Sequence, residues 1–234
     1  MTDTSTTHTI ILLRHGQSQW NLENRFTGWT DVDLSDKGRE EARLAGKAMK
    51  DAGLSPRFFF TSYLKRAIHT LQIAAAEMGL DYIPVIKDWH LNERHYGALQ
   101  GLDKAETAKL HGAEQVHIWR RSFDVEPPLL TPDDTRWPGN DPMYSQLPAD
   151  RLPLTESLRD TVARVDACWS ELIAPKVMEL GTVLIAAHGN SLRGLAMRLL
   201  NLTATEVVDL EIPTGKPWVF KTDDRLRVID SYYL

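Results

Sequence analysis

The sequence has almost no cysteine. Cys168 is the single thiol in 234 residues, so no internal disulfide can staple the fold. Its place in the run Val162, Val165, Cys168, Trp169, Leu172 reads as the buried stripe of a helix. Long apolar runs are missing too. Nothing approaches the roughly 20 residues that a helix needs to cross a bilayer, and a membrane partner is set aside. The opening Met1 to His8 is polar and lacks the basic start and apolar stretch of a secretory leader; a cytoplasmic protein is expected. An excess of positive charge is absent as well, since 27 Lys and Arg face 32 Asp and Glu for a net charge of −5. That balance excludes a general nucleic-acid surface, which displays Lys and Arg in excess. Tight ligand spacings such as H-E-x-x-H or H-x-E are also absent, so no metal is expected.

What is present is an ordinary globular composition, with 42% hydrophobic and 25% charged residues, enough apolar material for a sizeable core. Thr9 to Leu13 is rich in β-branched residues and stops at Arg14-His15-Gly16, as a buried strand running into a loop would. A helix is predicted after Ser35 as N-cap, stopping at Gly53, followed by a strand at Phe58 to Phe60 and a helix from Leu64 to Met78 closed by Gly79. Tyr82 to Ile86, with Pro84 inside it, reads as an edge strand. Thr182 to Ala187 is the clearest strand of the chain and ends at a second His-Gly pair, His188-Gly189, before a helix over Ser191 to Leu200.

Strands alternating with helices predict an α/β fold of three layers, a mainly parallel central sheet with helices on both faces and ligands at the carboxyl ends of the strands. Both His-Gly pairs then lie on the ligand side. A single domain over 1–234 is expected, interrupted at about 123–153 by an insertion holding seven of the twelve prolines, too long for a simple connector and of the kind that forms lids.

A histidine after a strand is more often structural than catalytic. Around His15, however, stand Arg14, a glycine that permits close approach, and Ser18 and Asn21 at the start of a helix, where phosphates bind readily. His188 repeats the pattern, because Gly189-Asn190-Ser191 opens a helix whose free N–H groups favour an anion; a capped helix beside a satisfied core histidine is the other reading. The remaining candidate cations, Arg66, Lys104, Arg120 and Arg121, read individually as solvated helix faces. Adjacent arginines diverge on a helix.

The blocks Arg14 to Asn21, Asn24 to Trp29, Tyr63 to Thr70, Leu91 to Gly101, Trp119-Arg120-Arg121 and Ala186 to Arg193 together resemble, in the same order, the cofactor-dependent phosphoglycerate mutases. Arg-His-Gly alone would mark only the wider histidine phosphatase superfamily. The resemblance runs from about Ile10 to Tyr233. It implies that His15 is a phosphorylated nucleophile, with Arg14, Arg66 and His188 around the transferred group and Glu93 as proton donor and acceptor; for Glu93 a pairing with Arg94 is the other reading. It further implies that Ser18, Asn21, Thr27, Gly28, Tyr96, Lys104, Arg120, Arg121, Gly189 and Asn190 bind phosphoglycerates, that 2,3-bisphosphoglycerate primes the enzyme, and that no metal takes part. A homo-oligomer, dimer or tetramer, is compatible with it. A bisphosphoglycerate synthase or phosphatase, a broad phosphomonoesterase and a non-catalytic docking relative stay open as alternatives.

Three departures accompany the resemblance. Gln17 stands where many relatives have Glu, which questions what orients Arg14. Ser18 favours the mutases over the bisphosphoglycerate synthase branch. The sequence ends at Leu234 without the flexible tail of many relatives, from which the 123–153 segment is expected to serve as the cover of the site.

Overall fold

The computed structural model describes residues 7–234; the polar stretch at 1–6, most of the segment read above as no leader, lies outside the described residues. In chain order the elements are β1 (His8–Arg14), α1 (Gln19–Leu22), α2 (Asp36–Asp51), β2 (Phe58–Thr61), α3 (Lys65–Met78), β3 (Val85–Lys87), α4 (Lys104–His111), α5 (Ala113–Arg121), α6 (Leu158–Cys168), α7 (Ala174–Leu180), β4 (Thr182–Ala187), α8 (Gly189–Leu200), α9 (Ala204–Asp209), β5 (Pro217–Thr222) and β6 (Val228–Tyr233). The strands form one sheet in the order β3-β2-β4-β1-β5-β6. β3, β2, β4 and β1 run parallel, while β5 and β6 continue the sheet antiparallel.

The pleat of β1 explains the three layers. Ile10 and Leu12 point into a core shared with Val165, Cys168, Leu192 and Leu195 from α6 and α8. Ile11 and Leu13 point the other way, onto Ala45, Met49, Leu71 and Ala74 from α2 and α3. A strand covered on both faces reads as a continuous apolar run. All four residues are fully buried, each contributing roughly 1.5–3 kcal/mol of apolar burial.

The helix ends follow local chemistry. Ser35 accepts from Gly38 N at the start of α2, and Gly79 closes α3 in the left-handed region at φ 72°. β3 is the edge strand but is shorter than predicted, beginning after Pro84. α8 begins two residues earlier than predicted, with His188 itself as N-cap. Between α6 and α7 the chain takes one π-turn over Trp169–Ile173, a single-turn bulge in an otherwise α-helical stretch.

The 123–153 segment is docked rather than poised as a flap. Ala98 N donates to Pro128 O at 2.7 Å and Leu130 N to Leu154 O at 3.1 Å. Arg136 Nη1 reaches the carbonyls of Ala98 and Gln100. Tyr144, buried, accepts from Asn92 Nδ2 at 2.9 Å and packs with Trp29 and Leu152. Three short 3₁₀ turns carry its backbone, and none of its residues lines the pocket described below. The expectation of a cover is therefore corrected: aromatic burial holds the segment beside the site, not over it.

Candidate active site

β1 and β4 are hydrogen-bonded neighbours whose last residues, Arg14 and Ala187, are register partners. The residues that follow them, His15 and His188, are thereby brought together with ring centroids 5.0 Å apart. They stand at the carboxyl ends of parallel strands, the side on which such sheets bind ligands.

His15 is almost fully buried. Its Nδ1 lies 2.7 Å from the carbonyl oxygen of Gly16. A carbonyl can only accept, so Nδ1 carries the proton and Nε2 keeps its lone pair. Burial, then the charges of Arg66 and Arg14, hold the imidazole pKa well below its ordinary value. Gly16 is required by space: a Cβ there would run into the backbone carbonyl of Gly38, and its own N–H donates to Thr70 Oγ1 at 3.1 Å.

His188 is fully buried, with Nε2 2.7 Å from Ser62 Oγ and Nδ1 buried without a partner. Burial first and Arg66 next lower its pKa well below the ordinary value. Arg66, in the first turn of α3, donates to the carbonyls of Thr30 and Gly28. Burial lowers its pKa to about 10, which leaves it charged at neutral pH. Arg14 is oriented by its Nη1 donating to Ile212 O at 2.7 Å. Gln17 plays no part in that: its side chain accepts from Ser35 Oγ, and its N–H donates to the carboxylate of Glu41.

Glu93 faces these groups. Its Oε1 accepts from Arg94 N at 2.8 Å and from Asn190 N, near the start of α8, at 3.1 Å. Burial alone would raise its pKa; the Arg94 N–H, the Arg66 charge, the Asn190 N–H and Arg14 together outweigh that and lower it. The Arg94 guanidinium is not its partner. It donates to the carbonyls of Trp119 and Arg120 at the end of α5.

One pocket collects Arg14, His15, Asn21, Thr27, Gly28, Arg66, Glu93, Tyr96, Lys104, Arg120, Arg121, Gly189 and Asn190, all named from the sequence. Arg120 and Arg121, the last two residues of α5, both line it. His188 is not in the lining; its ring stands 5.0 Å from that of His15. Ser18 does not line the pocket: its Oγ accepts from Asn21 N and its N–H donates to Asn21 Oδ1, a reciprocal cap on α1. Ser18 is thus moved from the ligand contacts to the support of Asn21.

Arg25, Phe26, Arg193, Glu211 and Ile212 also line the pocket. The first three fall inside the quoted motif blocks; Glu211 and Ile212 lie in a loop without periodicity, and nothing local marked them. Also missed was a clamp behind Glu93. Arg164 Nη2 donates to Glu93 O, Nη1 to Asn92 O, and Nε and Nη2 to the carboxylate of Glu156, which accepts from His95 N. Among the described residues no group of three or more His, Cys, Asp or Glu is placed to hold a metal ion, and no helix is long and apolar enough to cross a membrane.

A histidine freed at Nε2 inside a cage of arginines suits transient phosphorylation. Residues 10–132 and 130–233 match the histidine phosphatase superfamily (branch 1), and the chain belongs to that superfamily. Within it, the chain is 56% identical over 227 residues, 97% of its length and 92% of the relative's, to the 2,3-bisphosphoglycerate-dependent phosphoglycerate mutase of Hydrogenobaculum sp. (strain Y04AAS1). Two solved structures share the fold. They are a Bacillus anthracis phosphoglycerate mutase (19% identity, TM-score 0.67, 94% and 90% of the two chains) and a mycobacterial glucosyl-3-phosphoglycerate phosphatase (23%, 0.69, 97% of each).

Proposed function

We propose that this chain is a 2,3-bisphosphoglycerate-dependent phosphoglycerate mutase, interconverting 3-phosphoglycerate and 2-phosphoglycerate through phosphorylated His15. The observation that carries the reading is the His15 tautomer: Nδ1–H is committed to Gly16 O, so Nε2 is the nucleophile, on a ring that lines a pocket with seven Arg and Lys side chains. The neutral imidazole needs no deprotonation before it attacks, because its pKa is already depressed.

The lining fits a ligand with two phosphates and a carboxylate. Arg14 Nε is buried without a partner, a donor left for an anion at His15. Arg14, Arg66 and His188 would surround the transferred group. Asn21, Thr27, Gly28, Tyr96, Lys104, Arg120, Arg121, Gly189 and Asn190 would hold the rest. When bound, 2,3-bisphosphoglycerate supplies the phosphoryl group that primes His15.

In one half-reaction the Nε2–P bond breaks and a P–O bond forms on the free hydroxyl of the monophosphoglycerate, whose proton passes to Glu93. In the other, the Nε2 lone pair attacks the second phosphate and the departing ester oxygen takes the proton back from Glu93. The lowered pKa of Glu93 keeps it ionised and ready as base, and makes it a strong acid once loaded.

A coupled assay with enolase, run with and without 2,3-bisphosphoglycerate, tests the activity. Labelling should give an acid-labile, alkali-stable phosphate on His15. Mapping of that phosphate to any other residue would end the proposal.

A further inference from the structure

The rim of the pocket carries a group that anion binding does not call for. Glu211 lies in the lining among the seven cations, with its side chain 68% exposed, and accepts from Arg121 Nη2 at 2.6 Å. Arg193 Nη2 is 3.8 Å away. Its backbone is not a loose loop. The carbonyl before it, Leu210 O, accepts from Arg193 Nε at 2.8 Å, and the carbonyl after it, Ile212 O, accepts from Arg14 Nη1 at 2.7 Å. Gly215 N donates in turn to Arg14 O. Two arginines of the pocket therefore strap the chain on either side of Glu211, while its side chain stays free to turn into solvent.

An ion pair this exposed adds little to folding. Its effect falls on binding, because Arg121 lines the pocket together with Glu211 and a bound carboxylate or phosphate needs the same N–H groups. We propose that Glu211 is a displaceable internal anion, which occupies Arg121 in the empty site and yields it to the anionic end of the glycerate, so limiting how tightly phosphoglycerates are held. The inference rests on the mutase reading. It also has a use there: the doubly phosphorylated glycerate must present first one phosphate and then the other to His15, and binding energy spent equally on ground and transition states deepens the well without speeding the step.

The test is Glu211→Gln, which keeps size and removes charge at an exposed position. 3-Phosphoglycerate is titrated calorimetrically into unphosphorylated enzyme, where no phosphoryl group is available for transfer, and kcat and KM are measured separately. The expected result is a Kd and a KM lowered by about three- to tenfold, with kcat unchanged, and a gain that shrinks at high salt. In an Arg121→Met background the same substitution should change Kd by no more than about 1.5-fold, since the coupled pair is already broken. Unchanged or weakened binding in Glu211→Gln overturns the proposal. So does a full gain that persists without Arg121, which would mean diffuse charge relief. A wild type that neither binds 3-phosphoglycerate nor interconverts the isomers sinks the mutase reading and this inference with it; a competent wild type with an indistinguishable Glu211→Gln sinks this inference alone.

Discussion

The ends of β1 and β4 carry the same dipeptide, His-Gly, on neighbouring parallel strands, yet they are built for different work. After β1 the chain turns into a loop, His15 donates Nδ1–H to the next carbonyl, and its ring lines the pocket. After β4 the chain enters α8 at once, with His188 as the N-cap, fully buried and tied to Ser62. The glycines differ likewise. Gly16 is forced by backbone contact with Gly38, whereas a Cβ on Gly189 would meet only the Arg14 side chain at ordinary distance. A shared motif thus fixes where a histidine stands, and the following element decides whether its ring lines the pocket.

Breaking the two ends separately gives the largest contrast. His15→Ala should abolish both labelling and turnover. His188→Gln should still accept phosphate at residue 15, with mutase turnover lowered by about 10²- to 10³-fold through loss of charge stabilisation. Equal loss of labelling in both variants would remove the division of roles.

The division requires a proton carrier on the other side of the pocket. Glu93→Gln keeps an acceptor for Arg94 N and Asn190 N but cannot shuttle protons, so kcat should fall by about 10²- to 10⁴-fold with 3-phosphoglycerate affinity retained. Rapid turnover in that variant would leave Glu93 as a structural carboxylate. Behind it, Arg164→Met strands Glu156, which is 6% exposed, as a buried unpaired charge. Urea unfolding should report a loss of about 3–5 kcal/mol, and a loss under 1 kcal/mol would show that the clamp is dispensable.

The two histidines agree in one respect: both are held neutral. With His95, whose pKa burial lowers to about 3, they have folded-state values below the unfolded imidazole's 6.5. The unfolded chain therefore binds more protons below pH 6.5, and stability present above that pH is lost as pH falls towards the folded values. For His95 the window runs from 6.5 to about 3, at up to about 1.4 kcal/mol per pH unit. Urea midpoints at pH 7 and pH 5 check the sign; a higher midpoint at pH 5 contradicts it.

Much of this arrangement was legible in the sequence. The β-branched runs ending in His-Gly placed both histidines, since parallel neighbours with matched register must end side by side. The pairing of residues 173 positions apart in the chain, Thr9 with Thr182 for example, left no local trace beyond that. The Arg164–Glu156 clamp was hidden because a charged residue inside a helix-period stripe and a carboxylate just before the helix read as two surface residues until burial is known. The 123–153 segment misled for a physical reason: proline density reports the lack of helix and strand, while docking depends on where Tyr144 and Leu152 find aromatic partners. Glu211 was invisible because its meaning comes from cations far away in the chain.

The smallest effect separates a ligand contact from a cap. By resemblance Ser18 belongs with the phosphoglycerate-binding residues; in the fold its hydroxyl accepts from Asn21 N while Asn21 Oδ1 accepts from Ser18 N. α1 is only four residues long, too short to hold itself without its cap, and Asn21 is its pocket-lining residue. Ser18→Ala removes the acceptor and should cost about 0.5–2 kcal/mol of stability, whereas Ser18→Gly, which tolerates the N-cap backbone, should cost only a few tenths. If the hydroxyl acts through the cap, KM should follow stability across the two variants and rise least in Ser18→Gly. If the hydroxyl instead touches the ligand, both variants lose the same contact and KM rises equally, whatever the urea midpoints do. That second pattern would return Ser18 to the ligand shell and make the β1 end denser in direct contacts than the geometry gives it.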